Sequence, residues 1–346
     1  MTSQDAEAGG LVGQRRNAPN GPSGRPRGPL TSSEFASPAS VSESAIAAPK
    51  VDVVVVTYRS RSCVLACVEP LTAVPGVSVT VVDNASDDGT IDVLHEAPVR
   101  VLALEENRGF AAGTNAGWRL GSAPYVLLLN PDARMDSESL ARLVDVLERE
   151  PSVGAVAPLI HGGDGSIDFS QRRFPRARST LATAVFLQRL LPEASWTDEV
   201  IRNRAAYDRL GSPDWVSGAC MLVRRPLLEQ LGGLDERFFL YCEDMDLCRR
   251  IRLVGYDVRF EPTARAVHEG GASAPRGNLF PVLARSRIRY ARKHRSRIAG
   301  LLERVGIALG SATHVVVCRG GWRPRMGHAR SLLVALSPRE PAQPTR

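Results

Sequence analysis

A chain of 346 residues, 43% hydrophobic and 23% charged, has room for one large domain or two small ones and the balance of an ordinary globular protein. It has no apolar run of about 18 residues, so no membrane-spanning helix is expected, and its N-terminus lacks the apolar core of a signal peptide. Its net charge of +7 is unevenly spread: fifteen Arg and Lys lie beyond Pro275 against Glu303 and Glu340, a formal +13 that leaves −6 for the rest.

Residues 1–49 are rich in Ser, Pro, Gly, Ala and Asn with few large apolar side chains, and are expected to be disordered. From Val51 onward strands and helices alternate. Apolar runs at 51–56, 77–82, 99–104, 125–129 and 153–157 predict buried strands, with helices at about 60–69, 87–95, 109–120 and 137–149. Ser137 is the expected N-cap of the last helix, ahead of a stripe of Leu140, Leu143, Val144 and Leu147. Such alternation implies an α/β fold with a mostly parallel sheet and right-handed crossovers. Residues 161–214 lack strand periodicity and read as an insertion or flexible loop with a short helix near 180–191. A second block follows: a strand over 215–223, a helix over 226–231 closed by Gly232-Gly233, a helix over 244–254 ended by Gly255, and short strands at 257–260 and 264–268. There is no internal repeat.

The cysteines at 63, 67, 220, 242, 248 and 318 form no Cys-x-x-Cys pair, which fits a reducing cytosol and mostly buried thiols. The basic tail, 275–346, places Arg285, Arg289, Arg292 and Arg297 near helical spacing beside Ile288, Ile298, Leu301, Leu302 and Val305. This is the pattern of a helix lying on an anionic membrane, or else of a solvated helix face.

Polar residues end the apolar runs at Thr57, Asp83 and Asp132, and ligands of open α/β sheets bind beyond the carboxyl ends of strands. Asp83 either accepts from a nucleotide or shapes a turn. Asn107-Arg108-Gly109 opens a helix with small residues that admit a close ligand, and Arg108 is placed to meet a phosphate near its N-terminus. Neither the dinucleotide glycine fingerprint nor a phosphate loop is present. Asn130-Pro131-Asp132 offers an oxygen ligand for a substrate-bridged Mn2+ or Mg2+, or a Pro-containing turn. Glu243-Asp244-Met245-Asp246 either complements a helix dipole or supplies a general base. His268 gains weight if it shares an ion with Asp132, with the Gly-rich 269–273 as a lid.

Eight segments in order resemble family-2 glycosyltransferases of the GT-A fold over about 50–273. They begin with Val-Val-Val-Thr-Tyr at 54–58, Val-Val-Asp-Asn-Ala-Ser at 81–86, Glu-Asn-Arg-Gly-Phe-Ala-Ala-Gly-Thr-Asn at 106–115 and Leu-Leu-Asn-Pro-Asp at 128–132. They continue with Ser-Gly-Ala-Cys-Met-Leu-Val-Arg-Arg at 217–225, Gly-Gly-Leu-Asp-Glu-Arg-Phe-Phe at 232–239, Glu-Asp-Met-Asp-Leu-Cys-Arg-Arg at 243–250 and His-Glu-Gly-Gly-Ala-Ser at 268–273. Within the family the chain looks most like bacterial rhamnosyltransferases of the mycobacterial type. The resemblance implies inverting transfer of L-rhamnose from dTDP-rhamnose to N-acetylglucosaminyl-diphospho-polyprenol, a cell-wall linker step at the inner face of the plasma membrane. It implies Asp244 as base; Thr57, Asp83, Asn107, Arg108 and Asn130 around the nucleotide sugar; and Asp132 with His268 on the metal. Asn130 stands where the family's metal motif has its first Asp. Another donor sugar, galactofuranosyl or mannosyl, is the alternative within the family. A nucleic-acid-binding protein using the tail is the alternative outside it, although no nucleic-acid-binding motif is present.

Overall fold

The computed structural model describes residues 51–192, 194–270, 276–317 and 321–337. The expected disordered segment 1–49, Cys318 and the lid residues beyond Gly270 lie outside the described residues. The first half runs β1 (Val51–Thr57), α1 (Val64–Thr72), β2 (Val77–Asp83), α2 (Thr90–Val93), β3 (Arg100–Ala103), α3 (Phe110–Trp118) and β4 (Tyr125–Leu129). Next come β5 (Ala133–Met135), α4 (Ser137–Arg149), β6 (Val153–Gly162), β7 (Ile167–Asp168), β8 (Gln171–Arg172), α5 (Ala177–Ala184) and α6 (Leu187–Leu190). The chain continues through β9 (Trp215–Val216), β10 (Cys220–Arg224), α7 (Arg225–Leu231), α8 (Glu243–Leu253) and β11 (Asp257–His268) to α9 (Arg276–His294), α10 (Arg297–Val317) and α11 (Trp322–Leu336).

Nine strands form a mixed sheet in the order β3-β2-β1-β4-β10-β6-β11-β5, with β7 added beside β6. β1 to β4, β6 and β11 run one way, while β10, β5 and β7 oppose them, so the sheet is mostly parallel. Every residue of β1 is buried, as its unbroken β-branched run requires at the centre of a two-faced sheet. Val51, Val53 and Val55 join one core layer with α1 and α4, while Val54 and Val56 join the other with α3, α7 and α8. Asp52 sits within this strand. It forms an ion pair with Arg225 at 2.5 Å and accepts the Ala123 N–H at 2.8 Å.

Several local expectations change. The N-cap of α4 is Asp136, whose Oδ1 accepts the Ser139 N–H at 2.7 Å, because a carboxylate at that position reaches the third amide of the helix. The single strand expected over 215–223 is two: β9 leaves to pair with β8, and β10 enters the main sheet between β4 and β6. The two strands expected at 257–268 are one, with a register irregularity between Glu261 and Arg265. The described residues of 161–214 include β7, β8, α5 and α6 and seat the C-terminal helices: Thr180 donates to Glu303 at 2.7 Å, and Arg287 bridges Glu199 at 2.5 Å and Glu303 at 2.7 Å.

The tail differs most from its sequence pattern. Ile288, expected on a lipid-facing stripe, is buried between helices, and Lys293, His294 and Arg295 are engaged by Asp246 or Glu303. α10, at 21 residues, is by length and composition long and apolar enough to cross a membrane, where no such helix was expected. Its Glu303 is nonetheless buried among Arg287, Arg295 and Thr180 of neighbouring elements, which makes α10 a packed helix along that face. Its exposed side carries Ile298, Leu301, Leu302 and Val305.

Candidate active site

The parallel strands end at one edge, and the polar residues that terminate them meet there. Thr57 and Asp83 are both fully buried, and the Thr57 hydroxyl donates to Asp83 at 2.7 Å. Asp83 also accepts the Ser86 hydroxyl at 2.6 Å and the Ser86 N–H at 2.8 Å, which shapes the turn after β2. Ala85 in that turn and Arg59 after β1 both take left-handed backbone, an investment of roughly 1–3 kcal/mol each that the surrounding hydrogen bonds must sustain.

The next segment closes on the same edge. Asn84 donates to the Gly109 carbonyl at 3.2 Å, and Asn107 accepts the Gly109 N–H at 3.0 Å. Gly109 has φ +87, and a Cβ there would collide with the Phe239 backbone, whose carbonyl accepts the Phe110 N–H at 2.7 Å. That contact ties the start of α3 to the loop leading into α8. Arg108 stays half exposed and holds Glu236 only loosely, at 3.5 Å. Such an exposed pair contributes little and leaves the guanidinium available to an anion.

Asp132, His268 and Asn130 come together although 138 residues separate His268 from Asn130. The antiparallel pairing of β11 with β5 sets His268 opposite Ala133. His268 Nε2 lies 3.2 Å from Asp132 Oδ1 and 3.4 Å from Asn130 Nδ2, while Nδ1 lies 3.7 Å from Asp168. Burial disfavours charge on the imidazole, but hydrogen bonds to Asp132 and Asp168 outweigh it and lift its pKa to about 9. Hydrogen bonding to His268 holds the Asp168 carboxyl below its usual range. One carboxylate and one imidazole form a donor set that suits a divalent ion. Among the described residues no three His, Cys, Asp or Glu converge as a protein-only cation site, so a fitting ion would complete its shell from substrate oxygens.

Asp244 is brought to this edge by a backbone bridge. Its Oδ2 accepts the Gly218 N–H at 2.9 Å, while the next residue, Ala219, accepts the Asn130 N–H at 2.9 Å. Two consecutive residues therefore join the helix-start carboxylate to the Asn-Pro-Asp turn. Tyr241 and Cys242 both have left-handed backbone and turn the chain sharply into α8. Burial raises the Asp244 pKa, while hydrogen bonds from Gly218 and Met245 counter it. Burial, helped by the charge of Asp244, pushes Glu243 well above the ordinary carboxyl range, and its Oε2 has no hydrogen-bond partner among the described residues.

The fold thus gathers all eight sequence-predicted residues at or beside one sheet edge. Sequence reasoning missed Asp168, Arg172, Ser86 and the Gly218 amide. The first two lie in the segment without periodicity, where only their charge marked them.

The structure superimposes on a mannosyltransferase from Pyrobaculum calidifontis with a TM-score of 0.51 and 17% identity, covering 83% of this chain and 87% of that one. That protein was solved with GDP-mannose and Mn2+, and the likeness establishes the GT-A fold of nucleotide-sugar transferases. Residues 52–232 match the profile described as Glycosyl transferase family 2, and the chain belongs to that family of glycosyltransferases. The chain is 33% identical over 227 residues to the N-acetylglucosaminyl-diphospho-decaprenol L-rhamnosyltransferase of Mycobacterium tuberculosis, covering 62% of this chain and 73% of the relative. It is 28% identical over 155 residues to the rhamnosyltransferase WbbL of Escherichia coli K12, covering 44% of this chain and 54% of that protein.

Proposed function

We propose that the protein transfers L-rhamnose from dTDP-rhamnose to N-acetylglucosaminyl-diphospho-polyprenol with inversion at the anomeric carbon. Donor and acceptor classes rest on the mycobacterial relative, which covers 62% of this chain. The observation that carries glycosyl transfer at this site is the Gly218–Ala219 bridge, which holds a candidate base beside the turn that would carry the diphosphate.

In this reading the acceptor hydroxyl oxygen attacks the anomeric carbon and its proton passes to Asp244. The bond from the anomeric carbon to the β-phosphate oxygen breaks, and dTDP departs with the electron pair. A carboxylate tied to two backbone amides is oriented for that proton, and burial raises its basicity. Asp83, positioned by Thr57, and Asn107 contact the nucleotide, and Arg108 turns from Glu236 to the diphosphate. Asp132 and His268 would hold Mn2+ or Mg2+ beside Asn130, with Asp168 orienting the imidazole. Bound there, such an ion would supply charge neutralisation for the diphosphate, a contribution of several kcal/mol.

The enzyme works in the cytoplasm, peripherally at the inner face of the plasma membrane. The exposed Leu301, Leu302, Val305, Leu333 and Leu336 of α10 and α11, flanked by Arg, would rest on anionic lipid. Leu301→Asp with Leu333→Asp should abolish sedimentation with anionic vesicles, and undiminished sedimentation would remove these helices from the role. For the reaction, purified protein is offered dTDP-rhamnose, UDP-galactofuranose and GDP-mannose with a short polyprenyl-diphospho-GlcNAc. Rhamnosyl product from dTDP-rhamnose alone supports the assignment. Turnover with another donor overturns it.

A further inference from the structure

A cavity of about 260 Å³ opens between α5 and the helices α9, α10 and α11. Its walls mix apolar side chains, Ala184, Phe280, Leu283, Ala284 and Ile307, with small hydroxyls and the imidazoles of His314 and His328. Its polar end holds four charged side chains. Glu199 is neutralised by Arg287 at 2.5 Å and Asp198 by Arg202 at 2.8 Å. The fourth, Arg172, has no ion pair or hydrogen bond to its guanidinium among the described residues. Its Nε is buried without a partner, and the group stacks on Trp215 at 5.3 Å. Arg172 is half-buried, and its one buried donor, Nε, is left without a partner among the described residues, a cost that an anion beside the guanidinium would relieve.

The place of Arg172 gives that anion an address. β8 pairs with β9, setting Arg172 opposite Trp215, and β9 leads within two residues to Gly218, whose amide holds Asp244. On the other side β8 follows Asp168, the partner of His268. Arg172 therefore links the strand pair that leads to the candidate base with the lining of this partly apolar cavity. A substrate that puts a sugar hydroxyl at Asp244 and carries an anion followed by a hydrocarbon chain would meet these three features in sequence.

We propose that the Arg172 cavity binds the polyprenyl-diphosphate portion of the acceptor, the diphosphate on Arg172 and the first prenyl units along the α5–α9–α10–α11 wall. The proposal rests on the acceptor class given under the proposed function and adds where that acceptor is held. The remaining chain would leave over the exposed apolar side chains of α10 and α11.

Binding of farnesyl diphosphate to the full-length protein, measured by calorimetry, tests the site without requiring turnover. The wild-type protein should bind it more tightly than inorganic diphosphate, and saturating dTDP should leave binding in place. Arg172→Ala should weaken it at least ten-fold, Arg172→Lys should restore part of the loss, and Leu283→Asp should weaken farnesyl diphosphate but not inorganic diphosphate. No binding by the wild-type protein, equal binding by folded Arg172→Ala, or displacement by dTDP would each overturn the proposal. In turnover, Arg172→Ala should raise KM for the polyprenyl acceptor about ten-fold or more with donor KM changed less than two-fold. A wild-type protein that binds farnesyl diphosphate yet makes no rhamnosyl product would sink the donor assignment while leaving this site standing.

Discussion

Asp244→Asn separates the chemical role of this carboxylate from its structural one. The wild-type group accepts two amides, Gly218 at 2.9 Å and Met245 at 2.7 Å, through its two oxygens. A carboxamide has one acceptor oxygen, so one of these N–H groups must face an NH2. Leaving a buried donor unpaired costs about 1–3 kcal/mol, which sets the expected loss of stability. Loss of a general base costs about 10²–10⁴-fold in rate. At 1.36 kcal/mol per ten-fold, that is roughly 3–5 kcal/mol of transition-state stabilisation, larger than the structural cost. The assay pairs single-turnover rhamnosyl transfer with donor affinity and thermal unfolding. Transfer should fall by that factor while donor Kd moves less than about three-fold on the same scale. In the wild-type enzyme the raised pKa of Asp244 places the ascending limb of kcat/KM above the ordinary Asp value, because the base must be unprotonated. A variant retaining a tenth or more of the rate, or losing donor affinity in step with rate, would refute the assignment.

Asp132→Ala should weaken Mn2+-dependent donor binding, and Asp168→Asn should weaken it by about 10–100-fold through the imidazole alone; a metal titration unchanged in both would count against the Asp132–His268 site. Asp52→Ala should cost about 3–5 kcal/mol in urea unfolding because it leaves Arg225 buried without its partner, and Asp52→Ala with Arg225→Met should recover much of that; equal loss in the double variant would mean packing, not charge, is responsible. Glu243 has a raised pKa, so the folded chain holds a proton that the unfolded chain releases above the ordinary Glu range, and stability falls as pH rises toward the folded value. Glu243→Gln should therefore gain stability relative to wild type as pH rises from about 5 to 8, and a difference flat across that range would show that Glu243 is ionised.

The central strands were legible because burial on both faces demands unbroken apolar runs, and Val51–Val56 and Tyr125–Leu129 leave no other reading. The strand-end acids were legible for the same reason, since a polar residue closing such a run marks the sheet edge. What escaped was set by pairing at a distance. The segment 215–223 has one continuous pattern, and only the pull of Asp244 on the Gly218 amide and the pairing of β8 with β9 divide it. β8 itself is two residues long, too short for periodicity to register, yet it carries Arg172. Ile288 falls within the pattern of an exposed amphipathic face, but it is buried, and its neighbour Arg287 pairs inward with Glu199 and Glu303.

The same inward turn alters what the basic tail can mean. Asp244 and Asp246 lie two residues apart on α8 and so project from different faces. Asp246 is fully buried and takes Arg250 at 2.7 Å, Lys293 at 2.6 Å and His294 at 2.6 Å. Burial works against its charge, yet His294, Arg250 and Lys293 together hold its carboxyl below the usual range. Ser286 adds a hydrogen bond to the Leu240 carbonyl at 2.8 Å, just before the left-handed pair that launches α8. The C-terminal helices are thereby fastened to the residues that deliver Asp244. Removing 276–346 would strip a buried carboxylate of Lys293 and His294 and loosen the candidate base, so a truncated protein would lose activity whether or not the tail meets a membrane. Several of the tail's cations are engaged inside the protein, while Arg292, Arg297, Arg323, Arg325 and Arg330 stay exposed beside the apolar ridge of α10 and α11. Membrane attachment through these helices should therefore respond both to Leu301 and Leu333 and to ionic strength, and sedimentation that tolerates both leucine substitutions would remove the apolar ridge from the contact.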